Sequence, residues 1–192
     1  MASQPKARFT PDEYLALERS CEAKHEYFNG EIFAMGGASQ QHVLIVSNVV
    51  VELGSQLKAG PCRVYSTDLR VRVHPTGLYT YPDVIVLCDE PRFSDEQKDT
   101  LLNPALIIEV LSDSTKDYDR GGKFEQYRQI DSFVEYLLIA QDRPHAEHQS
   151  RQTDGSWVLH ETNSLEDAIQ LKSVPCSLRM ADIYLKIRFT NS

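Results

Sequence analysis

Two carboxylates and a lysine set the chemistry this sequence could perform. Asp83 lies in Tyr81-Pro82-Asp83-Val84-Ile85-Val86-Leu87, and Glu109 lies in Pro104-Ala105-Leu106-Ile107-Ile108-Glu109-Val110-Leu111-Ser112. Both runs are short, apolar, rich in β-branched residues and bounded by Pro or polar residues, which reads as buried strand. Alternation puts Glu109 on one face with Ile107 and Leu111, and Asp83 on the face of Ile85 and Leu87. A buried carboxylate without a partner is costly, so it is paired, protonated or bound to a cation. If the two strands are neighbours, the acids converge on one hard cation such as Mg²⁺, which prefers oxygen ligands and keeps several waters for chemistry. Plainer readings stand beside this one: an Asp after Pro also suits a turn, and a Glu in an apolar run also suits an exposed edge.

Other elements must position those groups. A helix is expected over Gly121 to Ile130, after the polar loop 113–120, with Phe124 and Tyr127 as its apolar stripe. Lys123 borders that stripe, with Arg120 three residues earlier on the same side, and from a docked helix it can snorkel toward Glu109. A second helix is expected over Val43 to Leu57, where His42, Val46, Val49, Leu53 and Leu57 fall on one stripe. His42 then faces inward from the first turn, either as a satisfied core histidine or as part of a site. The stretch Arg63 to Val73 alternates after Asp68 and is expected to pair with the Asp83 strand, making Arg70 and Arg72 either a solvated face or a phosphate clamp.

Thr10-Pro11-Asp12-Glu13 is a capping box opening a short helix. Asn29-Gly30 joins His25–Phe28 to Glu31–Met35 as a β-hairpin. Phe133 to Ile139 reads as a further buried strand, and a second hairpin pairs Ala146–Arg151 with Trp157–Glu161. A short strand near Ile169–Leu171 and a helix over Met180–Ile187 close the chain. The order from Gln40 to Ile139 predicts an α/β fold around a mixed central sheet, with the N-terminal helix and hairpin and the C-terminal hairpin as additions. One domain over 1–192, with its core at about 38–140, suits a length of 192 residues and 41% hydrophobic content.

A net charge of -8 excludes a protein that coats nucleic acid through an extended basic surface, so any such contact is local. The four cysteines, Cys21, Cys62, Cys88 and Cys176, are far apart and suggest neither a zinc site nor a disulfide framework, which fits a reduced cytoplasm. Met1 to Pro5 lacks the apolar core of a signal peptide, and no run approaches the roughly 20 apolar residues of a spanning helix, so no membrane insertion is expected.

Taken in order, Tyr27-Phe28-Asn29-Gly30-Glu31-Ile32, Ser66-Thr67-Asp68-Leu69-Arg70-Val71, Tyr81-Pro82-Asp83-Val84, Ile108-Glu109-Val110-Leu111-Ser112, Ser114-Thr115, Asp119-Arg120-Gly121-Gly122-Lys123 and Tyr127 form a pattern. It resembles the PD-(D/E)XK nuclease superfamily and, within it, the Uma-two family of candidate endonucleases. The resemblance implies a restriction-endonuclease-like mixed sheet flanked by helices and Mg²⁺-dependent hydrolysis of nucleic-acid phosphodiester bonds, DNA foremost, with Mn²⁺ as a substitute. It implies Asp83 and Glu109 as metal ligands and the Val110 carbonyl as a third. The lysine that the superfamily places two residues after the Glu is Leu111 here, and Lys123 matches the family's displaced lysine. His42 aligns with a family histidine on the first long helix that could hold the second shell or the attacking water. Arg70, Arg72 and Arg120 are the candidate phosphate contacts. Cutting both strands of a duplex favours a symmetric homodimer. The competing reading is a module that kept the fold for nucleic-acid binding or assembly without catalysis.

Overall fold

Local signals settle the N-terminal elements. The structure is a computed structural model describing residues 8–189, so the Met1 to Pro5 stretch lies outside the described residues. Thr10 and Glu13 form the expected reciprocal cap of α1 (Pro11–Glu18), with the Glu13 carboxylate accepting from the Thr10 amide at 2.7 Å. Asn29 and Gly30 adopt φ of 50° and 83°, which closes the hairpin β1 (His25–Phe28) and β2 (Glu31–Ala34) in the geometry that Asn-Gly favours. Ser39 caps α2 (Gln40–Leu57), whose buried stripe is Ile45, Val46, Val49, Leu53 and Leu57.

The stretch 63–73 does not form one strand. It breaks at Thr67–Leu69 into β3 (Arg63–Ser66) and β4 (Arg70–Val73), and these join different sheets. β4 pairs with β5 (Leu78–Thr80), while β3 alone pairs with β6 (Val84–Leu87), the strand that follows Asp83. After β7 (Thr100–Leu101) come β8 (Leu106–Leu111), α3 (Lys116–Tyr118), a π-helical turn over Asp119–Lys123, α4 (Phe124–Tyr127), β9 (Glu135–Ala140), β10 (Ala146–Arg151) and β11 (Trp157–Thr162). β12 (Ala168–Gln170), β13 (Ser177–Arg179) and α5 (Met180–Ile183) complete the order. The helix expected to reach Ile187 stops at Ile183, and Lys186 takes a φ of 65° that no α-helix accommodates.

The central sheet is mixed, with order β11-β10-β9-β8-β6-β3 and a parallel pair only at β8 and β9. The C-terminal hairpin therefore extends this sheet. Its one face, with Val84, Val86, Leu106, Ile108 and Val110, packs against α2 and α5. The other face, with Ile85, Leu87, Ile107, Leu111 and Tyr136, meets α4 and a second sheet of order β2-β1-β5-β4-β7, which supplies Val71, Val73, Leu78 and Leu101. The N-terminal hairpin belongs to that second sheet. Tyr14 of α1 stacks on its outer face with Tyr27 and Tyr79.

The cysteines correct an expectation: Cys62 and Cys88 are joined by a disulfide. Their 26-residue separation hides the pairing, but Arg63 faces Leu87 across the β3–β6 ladder, so the next pair outward is the two cysteines. Closing a loop of that size stabilises by about 2–4 kcal/mol. The Cys62→Ser, Cys88→Ser double variant should unfold at correspondingly lower urea than the oxidised wild type; equal midpoints would contradict this. Among the described residues, no helix is long and apolar enough to cross a membrane.

Candidate active site

Antiparallel pairing of Val84 with Ile108 places Asp83 across from Glu109 at the end of β6. The Asp83 amide donates to Glu109 Oε2 at 3.3 Å, and the Val110 amide donates to Asp83 Oδ2 at 2.7 Å. His42, in the first turn of α2, lies with Nε2 at hydrogen-bond distance, 3.0 Å, from Asp83 Oδ1. Glu109 projects to the inter-sheet side, where Tyr127 donates to its Oε1 at 3.0 Å. Lys123 Nζ stands 3.2 Å from the same oxygen, 3.2 Å from Asp119 Oδ1 and 3.3 Å from Glu26 Oε1. Asp83, Glu109, Lys123 and His42 are thus gathered in one place, and Val110 contributes its N–H to Asp83.

The segment bearing Lys123 differs from the expected loop and helix. Helical backbone begins at Lys116, widens into the π-helical turn, and ends at Tyr127 rather than Ile130. Such a turn re-aims side chains and is frequent at functional sites. Here it buries both Asp119 and Lys123, at 2% and 6% exposure. Gly122 is required beside them, since a Cβ there would come within 2.9 Å of the Tyr118 ring. That ring also stands 5.9 Å from Lys123 Nζ, and the Tyr136 hydroxyl donates to the Asp119 carbonyl at 3.1 Å.

The charge balance is uneven. Three carboxylates, Glu26, Glu109 and Asp119, surround one buried ammonium, and a fourth, Asp83, lies beside Glu109. Burial pushes the Glu109 carboxyl up despite the opposing pull of Lys123, and Asp83 and Asp119 add to the rise. For Lys123, burial works against the charge, yet Glu109, Glu26 and Asp119 outweigh it and hold the ammonium well above its usual range. Lys123 therefore keeps its proton, and carboxyl groups outnumber the ammonium in the cluster, which suits a further cation. Among the described residues no three His, Cys, Asp or Glu side chains are arranged as a ready metal cage. Two carboxylates and a main-chain oxygen would leave the rest of the shell to water, which fits the way Mg²⁺ is held.

The candidate phosphate contacts are not brought into this cluster. Arg70 is buried, bonded to Thr100 and Tyr81 and ion-paired with Asp99 at 2.9 Å, so it is neither a solvated face nor presented to a ligand. Arg72 lies over the Tyr79 ring. Arg120, partly exposed, is bound by Glu147 through Nε at 2.8 Å and a terminal nitrogen at 2.7 Å. Leu111, in the superfamily's lysine position, is buried in the inter-sheet core. Sequence reasoning did not single out Glu26 or Asp119. Asp119 precedes Lys123 by four residues, a helical spacing that could have flagged it.

Comparison with known proteins agrees with the architecture. The family model Uma2, described as "Putative restriction endonuclease", matches residues 11–183. Two proteins of Synechocystis are similar to the chain, both named as uncharacterized: slr1290, 36% identical over 97% of each chain, and sll1609, 36% identical over 79% of this chain and 86% of its own. Among solved structures, "a putative nuclease belonging to DUF820 from Anabaena variabilis" superposes with a TM-score of 0.75 over 92% of this chain and 97% of that one. At 20% identity that likeness speaks for the fold. With the family model spanning every element from α1 to α5, the chain belongs to the Uma2 family, whose description reads "Putative restriction endonuclease".

Proposed function

We propose that this protein is a Mg²⁺-dependent endonuclease that hydrolyses phosphodiester bonds in DNA, accepts Mn²⁺ in place of Mg²⁺ and acts as a symmetric homodimer. The supporting observation is the convergence of Asp83, Glu109 and Lys123 from two neighbouring strands and the following helical segment, with Lys123 Nζ 3.2 Å from Glu109. Asp83 and Glu109, with the Val110 carbonyl, would hold the ion, which supplies charge compensation and an acidified water. Lys123 keeps its proton, so it acts on negative charge at the phosphate and not as a base. His42 fixes the Asp83 carboxylate through Nε2 and the Val110 amide fixes it from the other oxygen, which holds the acid in one orientation. Electrostatic contributions of this kind are each worth about 10²- to 10³-fold in rate.

The test is to incubate pure protein with supercoiled plasmid, single-stranded DNA and RNA, each with Mg²⁺, Mn²⁺ or chelator. Metal-dependent nicking or linearisation of plasmid is expected. A protein that binds Mn²⁺ by calorimetry yet cuts none of the substrates would be a binding or assembly module instead.

A further inference from the structure

Glu26 reaches the site from a different sheet than Asp83 and Glu109. On β1, alternation sends Tyr27 to the outer face, against Tyr14 and Tyr79, and sends Glu26 inward with Phe28, which packs on the inter-sheet core. The hairpin is already specified by its Asn-Gly turn and its tyrosine cluster, and neither uses Glu26. An inward position beside Phe28 is most cheaply filled by an apolar side chain, so a carboxylate there is retained against a desolvation cost. Its Oε1 lies 3.3 Å from Lys123 Nζ and also accepts a hydrogen bond from the hydroxyl of Thr80, a fully buried residue of β5.

An ammonium carries three donors on a flexible four-carbon stem. At Lys123 the ammonium is ion-paired with three carboxylates from three separate elements: Glu109 of β8, Asp119 of the π-helical turn and Glu26 of β1. Without Glu26 the ammonium would be held only from β8 and the helical segment, with no charge facing it from the second sheet. Thr80 gives Glu26 a fixed place from which to engage it.

We propose that Glu26 is a positioning residue of the candidate nuclease site, its carboxylate, braced by Thr80, holding the Lys123 ammonium in place beside Glu109. The proposal rests on the nuclease reading above for its catalytic consequence, but the positional relation can be read separately. It makes the second sheet part of the site and gives the N-terminal hairpin a task beyond packing.

The experiment uses protein labelled with ¹⁵N-lysine and follows the Lys123 ammonium by amine-detected NMR, assigned through its own side-chain carbons. In the wild type the buried ammonium, held among three carboxylates, should give a slowly exchanging resonance. In Glu26→Ala that resonance should broaden into solvent exchange while the backbone amide spectrum is kept; in Glu26→Gln it should persist, because the amide oxygen still accepts from Thr80 and Lys123. In cleavage, Glu26→Ala should lower kcat by about 10- to 100-fold with KM within about twofold, and Glu26→Gln should recover most of the loss. Should Glu26→Ala fail to fold, Thr80→Val carries the test, since it removes only the hydroxyl that braces Glu26. Unchanged ammonium exchange in Glu26→Ala, or in Thr80→Val where the former is unfolded, overturns the proposal. Unchanged kcat in a folded Glu26→Ala also overturns it. A wild type that cuts nothing, with the ammonium still released by Glu26→Ala, refutes the nuclease reading and upholds the hold of Glu26 on Lys123.

Discussion

Asp83→Asn and Glu109→Gln each lower metal-dependent cleavage by about 10²- to 10³-fold or more while the protein stays folded. Both changes preserve shape. The amide introduced by Asp83→Asn would still offer an oxygen to the Val110 N–H, with its nitrogen facing His42, and the one introduced by Glu109→Gln would still accept from Lys123 and Tyr127 while losing the long bond from the Asp83 N–H. What each removes is an oxygen able to bring negative charge to a bound cation, beside an ammonium paired with Glu26, Glu109 and Asp119. Like-charge crowding and burial both oppose ionisation of Glu109, which offsets the loss of its bond from the Asp83 N–H, so its neutral replacement should stay close to the wild type in stability. The diagnostic is therefore a divergence: cleavage and Mn²⁺ affinity fall steeply, while the urea midpoint changes little. Single-turnover plasmid cleavage, calorimetric Mn²⁺ titration and urea unfolding measure the three quantities on one preparation. Wild-type cleavage rates in both variants would remove these carboxylates from the mechanism.

The parts of this fold that were legible in the sequence are those whose cause is local. The Asn29-Gly30 turn needs two positive φ values and obtains them, and the Thr10 to Glu13 cap forms from residues three apart. The β6 and β8 runs were legible because apolar β-branched residues with one acid each have few other uses. Alternation along β8 was also right in detail, since Leu106, Ile108 and Val110 face α2 while Ile107 and Leu111 face the second sheet. The break between β3 and β4 was not legible. The alternating pattern is the same whichever sheet a strand joins, so it carries no information on the change of partner at Thr67–Leu69.

The same limit explains the site. Asp83, Glu109 and Lys123 stood out through an unusual residue type in an apolar setting or beside an apolar stripe. Glu26 did not, because a Glu in a short hairpin ordinarily faces water, and only the long-range pairing of Tyr27 with Tyr79 closes the second sheet around it. Its shared face with Phe28 was the available clue. Arg70 and Arg72 misled for the converse reason: charge on an alternating strand suggested solvent, whereas Tyr14, Tyr79 and Tyr81 cover that face. Cys62 and Cys88 likewise required the β3–β6 register before they could be paired.

Lys123→Met should cost about 3–5 kcal/mol of stability, the range for deleting one partner of a buried ionic group. Met keeps most of the stem volume, so the cavity contribution is small and the loss is electrostatic. Glu26, Glu109 and Asp119 would face one another without the ammonium that lies 3.2–3.3 Å from each, and Asp119 Oδ1 has no hydrogen bond within the described residues to compensate. The deficit has a defined pH dependence. A carboxyl whose folded pKa is raised contributes most to stability when protonated, below its unfolded value of about 4.3, and that contribution is lost as pH rises through the folded value. The Met variant should accordingly lie closest to the wild type in mild acid and furthest from it from neutrality up to the unfolded lysine value of about 10.4, above which the contribution of Lys123 itself begins to fall. Urea unfolding of both proteins across that range measures the gap directly. A gap that is absent at every pH would mean that the three acids do not depend on Lys123, and the ammonium would then have no structural claim on the site.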